Sequence, residues 1–470
     1  MSDTPAPPVI LGDEPGSFPH GVLAERHPAI IQQVREAFPY GPDIHRSLDA
    51  LLDNCTKGVI EPLSDGAPDR DRWRTWGLDA YAGRTWFDVP WLWSESYFYR
   101  QLLQAVGYFT PGPWQGIDPF RPFKLAELDA PETDEELAAL DTLEGRPVDE
   151  RDRALLHGSL WGNRADLGFR LSDGEAEKRA AVTGLVADDS EKLWSLLPVT
   201  SAAAAADTYT GAGTETGTRT GTGSETGTGT GTGSETGTGT GTGSETGTGT
   251  GTGSETGTGT GTETGTSADA GAGTATGTGT GTLCLVADNA GRELIPDLLL
   301  AAHLLAHGRC DRVVLHVKPY PYYVSDATTA DVVDALRKLT AALGAAADFG
   351  RRLWAAMADG TLTVRAHPFS AAPLPYAAMP DDLRAEFAAA SLTIVKGDLN
   401  YRRLVGDSRW RPTTPFADVT AYFPGPVAAL RTLKSDVITG LDAGTEAALV
   451  AAEGQRWRTG GTHALIQVRE

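Results

Sequence analysis

The apolar residues of this chain fall into two patterns, separated by a tract that has almost none. Beyond residue 282, short continuous apolar runs recur at 283–287, 312–317, 361–366, 392–395, 427–433 and 464–468. Helix-length stretches lie between the early runs, 293–307 and 329–343 among them. Continuous β-rich runs alternating with helices predict an α/β domain over 283–470, built on a mostly parallel, doubly wound sheet. Residues 1–206 predict a mainly helical domain instead, with helices at 29–38, 91–106 and 138–156 between Pro- and Gly-rich loops. The stretch WLWSESYFYRQLLQAV at 91–106 is dense in aromatics, which with Trp73, Trp76 and Trp86 read first as a packed helical core.

Residues 207–282 are almost wholly Gly and Thr with spaced Glu, and Gly221 to Thr260 is four consecutive copies of GTGSETGTGT. A repeat with so few apolar side chains cannot bury a core, which predicts a disordered linker rather than a solenoid. A flexible tract of this length spans about 45–50 Å, so it can join two halves of one domain as easily as two domains. It carries eight carboxylates against Arg219, so seven of the chain's 22 net negative charges sit there.

The acidic balance argues against nucleic acid as a partner, because phosphate-backbone binding needs clustered Lys and Arg. No apolar run reaches 18 residues, so no membrane-spanning helix is expected. The opening MSDTPAPPVILGDEPG has neither a basic flank nor an apolar stretch of signal type, which points to a cytoplasmic protein. Cys55, Cys284 and Cys310 form no CxxC pair, so neither a disulfide framework nor a zinc knuckle is indicated. His303 and His307 stand four apart, but Leu304 occupies the place where a metalloprotease helix needs Glu, so a packed or solvated face is favoured.

The chemistry gathers where strands end. The first run leads into Asp288-Asn289-Ala290-Gly291, the second through Lys318 to Ser325-Asp326, the fourth into Lys396-Gly397-Asp398-Leu399-Asn400, and the fifth to Lys434. In a parallel sheet these C-terminal ends share one edge, where ligands bind. Each aspartate alone reads as an N-cap for the next helix; the group, with its lysines, is harder to explain that way. Several carboxylates and an amide oxygen make a hard site suited to Mg²⁺ or Mn²⁺. Lys396 and Lys434 are then placed to hold phosphate oxygens, beside helix N-termini after Gly291 and Gly397. Such parts fit metal-dependent phosphoryl transfer, with aspartate as an alternative covalent nucleophile.

These residues resemble a known family. Asp288-Asn289-Ala290-Gly291-Arg292-Glu293-Leu294, Val324-Ser325-Asp326, the string Lys396 to Leu404 with Gly406-Asp407 and Trp410, and Arg431-Thr432-Leu433-Lys434 are similar to the metal-dependent damage-control phosphatases, in their acidic-residue methyltransferase-like group. Upstream, Trp86-Phe87, Pro90-Trp91-Leu92, Glu95, Tyr97 and Tyr99-Arg100 resemble the same family's helical part. The resemblance implies an α/β domain with a helical companion and a divalent metal, Mn²⁺ first and Co²⁺, Ni²⁺ or Mg²⁺ otherwise. It implies Asp288, Asn289 and Asp326 as metal ligands, with Asp288, Asp326 and Asp398 as the catalytic carboxylates. The substrate-binding set it implies comprises Glu293, Asp398, Leu399, Asn400, Tyr401, Arg402 and Lys434, beside the Lys396 that the strand ends already suggest, joined by Glu95 and Arg100 if the helical part closes over the sheet edge.

The activity implied is hydrolysis of small phosphorylated metabolites, sugar phosphates such as fructose 1-phosphate or fructose 6-phosphate, in metabolite damage control. The alternative is an S-adenosylmethionine-dependent protein-glutamate O-methyltransferase. A methyltransferase normally places a Gly-rich loop after its first strand, whereas the turn here is acidic and better suited to metal. A non-catalytic sensor of phosphometabolites is a third reading, but it would not require metal ligands, lysine and spare carboxylates together.

Overall fold

The computed structural model describes residues 7–162, 184–199 and 281–470; residues 207–280 of the Gly/Thr tract, with the disorder expected of it, lie outside the described residues. Seven strands form one sheet: β1 (Leu185–Asp188), β2 (Thr282–Val286), β3 (Arg312–His316), β4 (Leu362–Arg365), β5 (Leu392–Lys396), β6 (Val427–Thr432) and β7 (Ala464–Arg469). Their order is β1-β7-β6-β5-β2-β3-β4, and every neighbouring pair is parallel except β6 with β7. This is the mostly parallel α/β sheet that the apolar runs predict.

Side-chain alternation explains why the runs read as continuous. Successive residues of a strand face opposite sides, and here both sides are covered. Leu283, Leu285, Val313, Leu315, Leu392, Ile394, Ala428 and Leu430 face an aliphatic layer that includes the buried helix Leu294–Ala306. Cys284, Val286, Val314, Val395, Val427 and Ala429 face an aromatic-rich layer that includes Trp73, Trp86, Trp91, Trp93 and Tyr97 from the residues before the tract. The described segments on either side of the tract fall in one compact unit, spanning 1–207 and 278–470.

Two local features depart from the pattern read along the chain. The predicted 138–156 helix is a 3₁₀ turn at Leu140–Leu143 and then a helix at Val148–Trp161. Gly145, at φ 72°, and Pro147 as N-cap separate the two. The strand β1, four residues drawn from before the tract, pairs with β7 alone, and its short, half-polar sequence LVAD carries little strand signal. Among the described residues, no helix is long and apolar enough to cross a membrane.

The chain order fixes where a site can form. From β2 the chain steps to β3 and β4 on one side, then returns to β5 and β6 on the other, so β2 and β5 flank the point where winding reverses. Crevices open at such points, outside the strand C-termini. Beneath this one, the Lys396 Nζ is 2.9 Å from the Asp297 carboxylate, and both residues are fully buried. Lys396 also donates to the Ser159 carbonyl, and Ser159 Oγ donates to Asp297 at 2.5 Å. The network thus ties β5 to the Leu294–Ala306 helix and to the Val148–Trp161 helix.

Breaking one side of a buried pair strands the other charge, at a cost of about 3–5 kcal/mol. Lys396→Met is expected to lower unfolding stability by that order in urea titration. The double variant Lys396→Met/Asp297→Leu is expected to recover most of the loss; no recovery would mean that the pair is not the source of the effect.

Candidate functional site

Asp288 follows β2 and lies against the first turn of the helix Gly397–Val405, which follows β5. Gly397 has φ 79°, a conformation that side chains rarely adopt, and any Cβ there would overlap the Asp288 carboxylate. The absent side chain of Gly397 is therefore what gives Asp288 room. Asn400, one turn on, donates to the Ala287 carbonyl at 3.0 Å and to the Lys396 carbonyl at 2.9 Å, fixing the residue before Asp288.

The loop after β3 is stitched to the loop after β2 through the backbone. The Ala290 N–H donates to the Ser325 carbonyl at 2.6 Å, and the Ala327 N–H to the Asp288 carbonyl at 3.0 Å. Asn289 and Asp326 form an isolated antiparallel bridge. Ser325 Oγ donates to Asn289 Oδ1 at 2.7 Å, and Asn289 Nδ2 donates to Glu293 Oε2 at 2.7 Å. Asp326 Oδ2 accepts from the Tyr323 N–H at 2.8 Å. The Lys124 ammonium, paired with Asp118 and Asp331, donates to the Asp326 carbonyl at 2.8 Å and anchors this loop from the helix Arg121–Leu128.

Asp288, Asn289 and Asp326 thus come together at one cleft of about 160 Å³, which Asp398, Leu399, Arg402 and Lys434 also line. Burial, with repulsion from Glu293 and Asp326, pushes the Asp288 carboxyl well above the ordinary carboxylate range, against the pull of Lys318 and Lys434. Burial also raises Asp326, opposed by Lys318 and by the Tyr323 N–H. Asp398 behaves differently. Burial works against its charge, but Arg431 and Arg402 outweigh that and hold it below the usual range. Asp398 Oδ1 accepts from Arg431 Nε at 2.8 Å, Ser435 Oγ at 3.0 Å and the Lys434 N–H at 3.2 Å.

The residues before the tract supply the other wall: Phe18, Arg26, Trp91 and Glu95. Glu95 is buried in the helix Trp91–Ala105, and burial raises its carboxyl despite Arg402. Arg402 donates to Glu95 at 3.1 Å and to both oxygens of Asp407 at 2.7 and 3.0 Å, with its guanidinium 3.5 Å from the centre of the Trp91 ring. Asp407 in turn accepts from the Leu92 N–H at 3.1 Å, at the start of the Glu95 helix.

Other residues singled out from the sequence lie outside the cleft lining. Lys396 turns inward to Asp297. Arg100 forks onto Asp69 at 2.6 and 2.7 Å and covers the Phe109 ring. The Tyr401 hydroxyl is buried against Thr439 and Gln467, 3.0 Å from each. Glu293 is buried behind Asn289, which it orients. Conversely, Phe18, Arg26, Trp91, Tyr323, Val324 and Ser325 line the cleft without having been picked out as site residues. Lys318, buried with its ammonium 3.3 Å from Asn400 Oδ1, was passed over as well. Its signal was available: it directly follows an apolar run, as Asp288 does.

Two buried carboxylates repelling one another beside an amide oxygen suit a hard divalent cation, which would neutralise them. Among the described residues no group of three His, Cys, Asp or Glu forms a ready-made cage. The donors at hand are Asp288, Asp326 and the Asn289 side-chain oxygen, a set that leaves further positions to water or substrate, as Mg²⁺ and Mn²⁺ sites commonly do.

Two outcomes follow. Gly397→Ala is expected to destabilise more than Gly406→Ala, since both glycines have positive φ but a Cβ at Gly406 meets nothing within 4 Å. Backbone strain alone costs roughly 1 kcal/mol, and urea titration of the pair isolates the clash with Asp288; equal losses would refute it. Cation binding, for its part, must displace protons that persist above the ordinary carboxylate range. Mn²⁺ affinity is therefore expected to fall as pH drops, beginning above the ordinary carboxylate range, with proton release seen by calorimetry in buffers of different ionisation enthalpy. A flat profile would mean that these carboxyls are not the ligands.

Comparison with known proteins identifies the family. The model of the damage-control phosphatase ARMT1-like domain matches residues 22–210 and 268–450. The chain is similar to the protein named damage-control phosphatase ARMT1 from Danio rerio, with 26% identity covering 96% of this chain and 94% of the relative. The Homo sapiens protein of that name is 25% identical, over 97% of each chain. The Xenopus laevis protein of that name is 35% identical over 39% of this chain and 43% of its own. Among solved structures, a DUF89 family protein from Pyrococcus horikoshii aligns with a TM-score of 0.41 and 12% identity, over 87% of this chain and 90% of that one. With the family model matching most of its length on both sides of the Gly/Thr tract, the chain belongs to the ARMT1-like damage-control phosphatase family.

Proposed function

We propose that this chain is a metal-dependent phosphatase that hydrolyses small phosphorylated metabolites, with sugar phosphates such as fructose 1-phosphate or fructose 6-phosphate as substrates. The observation that carries this reading is the pairing of opposite electrostatics in one cleft. Asp288 and Asp326 form a buried, mutually repelling acid pair, and the Lys434 side chain, beside them, has no ion-pair partner among the described residues. A phosphoryl group brought against such a pair would be repelled unless a cation intervened.

Asp288, Asn289 and Asp326 would hold that cation, Mn²⁺ by preference, and when bound it supplies charge neutralisation and polarisation of the phosphoryl group. Lys434 offers its ammonium to a phosphoryl oxygen. Asp398 stays ionised, and its Oδ2 carries no hydrogen bond among the described residues, so it is free to orient the attacking water and accept its proton. Glu95, held by Arg402 and by the Tyr323 hydroxyl at 3.2 Å, faces the side where the leaving group sits and can accept from its hydroxyls. Lys396, Asn400 and Tyr401 support the site from behind.

The test is phosphate release from a sugar-phosphate panel by the purified full chain with Mn²⁺. Activity is expected to vanish in EDTA and return with Mn²⁺. Asp288→Ala and Asp326→Ala are expected to lose roughly a hundred- to a thousandfold in kcat/KM, and Lys434→Ala to raise KM roughly tenfold. Methyl transfer from labelled S-adenosylmethionine to protein carboxylates, with no phosphate release, would overturn this reading in favour of the methyltransferase.

A further inference from the structure

Three of the charges lining the cleft, those of Arg402, Glu95 and Asp398, are already paired. Arg402 is divided between Asp407 and Glu95 and stacked on Trp91. Asp398 is held by Arg431. Two cations remain: the side chains of Lys434 and Arg26 have no hydrogen-bond or ion-pair partner among the described residues, and both line the cleft.

They serve different ends of it. Lys434 acts on Asp288 and on Glu127, at the strand-end side. Arg26 acts on Glu95 and Tyr99, on the helical side. If the phosphoryl group sits by Asp288 and Lys434, Arg26 is left facing what the phosphate is attached to.

Arg26 is also presented by a well-anchored backbone. It ends a π-helical turn, Val22–Arg26, closed by the His27 N–H donating to the Val22 carbonyl. Such turns are rare and recur at functional sites. Val22 and Leu23 are buried on one side, and on the other the buried His27 ring stacks on Phe98 with centroids 3.6 Å apart. The exposed Arg26 is thus carried between fixed neighbours. Arginine in such a place suits a carboxylate or phosphate, whose oxygens match its planar fork. A neutral leaving group is met by Glu95 alone, whereas one that carries a second anion engages Arg26 as well.

We propose that Arg26 is a specificity-determining residue that binds a second anionic group, carboxylate or phosphate, on the leaving-group portion of the phosphorylated substrate. This rests on the phosphatase reading above for the position of the first phosphate.

Matched pairs of ligands test it: 3-phosphoglycerate against glycerol 3-phosphate, and fructose 1,6-bisphosphate against fructose 1-phosphate. Dissociation constants come from calorimetry with the Mn²⁺-loaded full chain, and kcat/KM from phosphate release. The wild-type protein is expected to favour the two-anion member of at least one pair roughly tenfold, the ratio that one charge-assisted hydrogen bond supplies. The pair that responds tells carboxylate from second phosphate. Arg26→Ala is expected to bring the ratio to about one, and Arg26→Lys to keep part of it. No wild-type preference in either pair overturns the proposal. So does an equal loss on both members in Arg26→Ala, which would place Arg26 on the transferred phosphate or in a structural role. Binding with the expected ratio but without turnover would sink the phosphatase reading and leave the recognition role standing, whereas failure to bind any of the four counts against both.

Discussion

A carboxylate pressed against a backbone that has no side chain is the contact on which this site depends. Asp288 and Gly397 meet where the winding of the sheet reverses, just beyond the C-terminal ends of β2 and β5, where such sheets open a crevice. Gly397 supplies both the positive φ that starts its helix and the space for the carboxylate. Asn400, one turn further on, holds Ala287 and so fixes the approach. With Asp288 held there, Asp326 is brought beside it by the backbone bonds between their loops. The proximity of the two acids, and the raised proton affinity that burial and repulsion give Asp288, follow from that docking.

The second constraint reaches across the tract. Arg402 is a buried cation, and a buried cation is tolerable only when its hydrogen bonds and charge are satisfied. Asp407 satisfies most of it from the same stretch of chain, but Glu95 and the Trp91 face come from the helix before the tract. Asp407 completes the clamp by accepting from the Leu92 N–H. Tyr323 adds a second tie, its N–H on Asp326 and its hydroxyl on Glu95. The helical part is therefore a wall of the site.

Strand ends were legible in the sequence because a parallel sheet converts a list of residues after apolar runs into one edge, and Asp288, Asp326, Asp398 and Lys434 all meet there. Lys396 was harder, although the clue was present. It shares parity with Leu392 and Ile394, so it faces the aliphatic layer, where Asp297 sits as the acidic residue in LIPDLLLAAHLLA. A lone acid in so apolar a helix announces a buried partner, but only the fold says which. Lys318 has the opposite parity to Val313, Leu315 and Val317, which sends it to the aromatic side, near Asn400. Arg100 and Arg26 could not be sorted by pattern at all. Both sit among aromatic or apolar helical residues, and whether an arginine finds its Asp69 or faces a cleft depends on packing between distant segments.

Natural chains break local rules mainly where function requires it, and this one breaks the same rule twice in contrasting ways. Asp297 is a buried acid given its own cation, Lys396, and the pair holds structure; Asp398, at the cleft, is given Arg431 and kept ionised by it. Asp288 and Asp326 are buried acids set beside each other, with Lys318 and Lys434 only partly offsetting them. Such a pair costs the folded state stability as long as nothing binds it. Any cation that binds the folded site alone returns that stability by mass action. On the proposed reading, the binding energy of the metal is drawn from an electrostatic debt that the Asp288–Gly397 contact creates. The distinction between compensated and uncompensated acids, more than their number, is what separates Asp288 and Asp326 from paired acids such as Asp297.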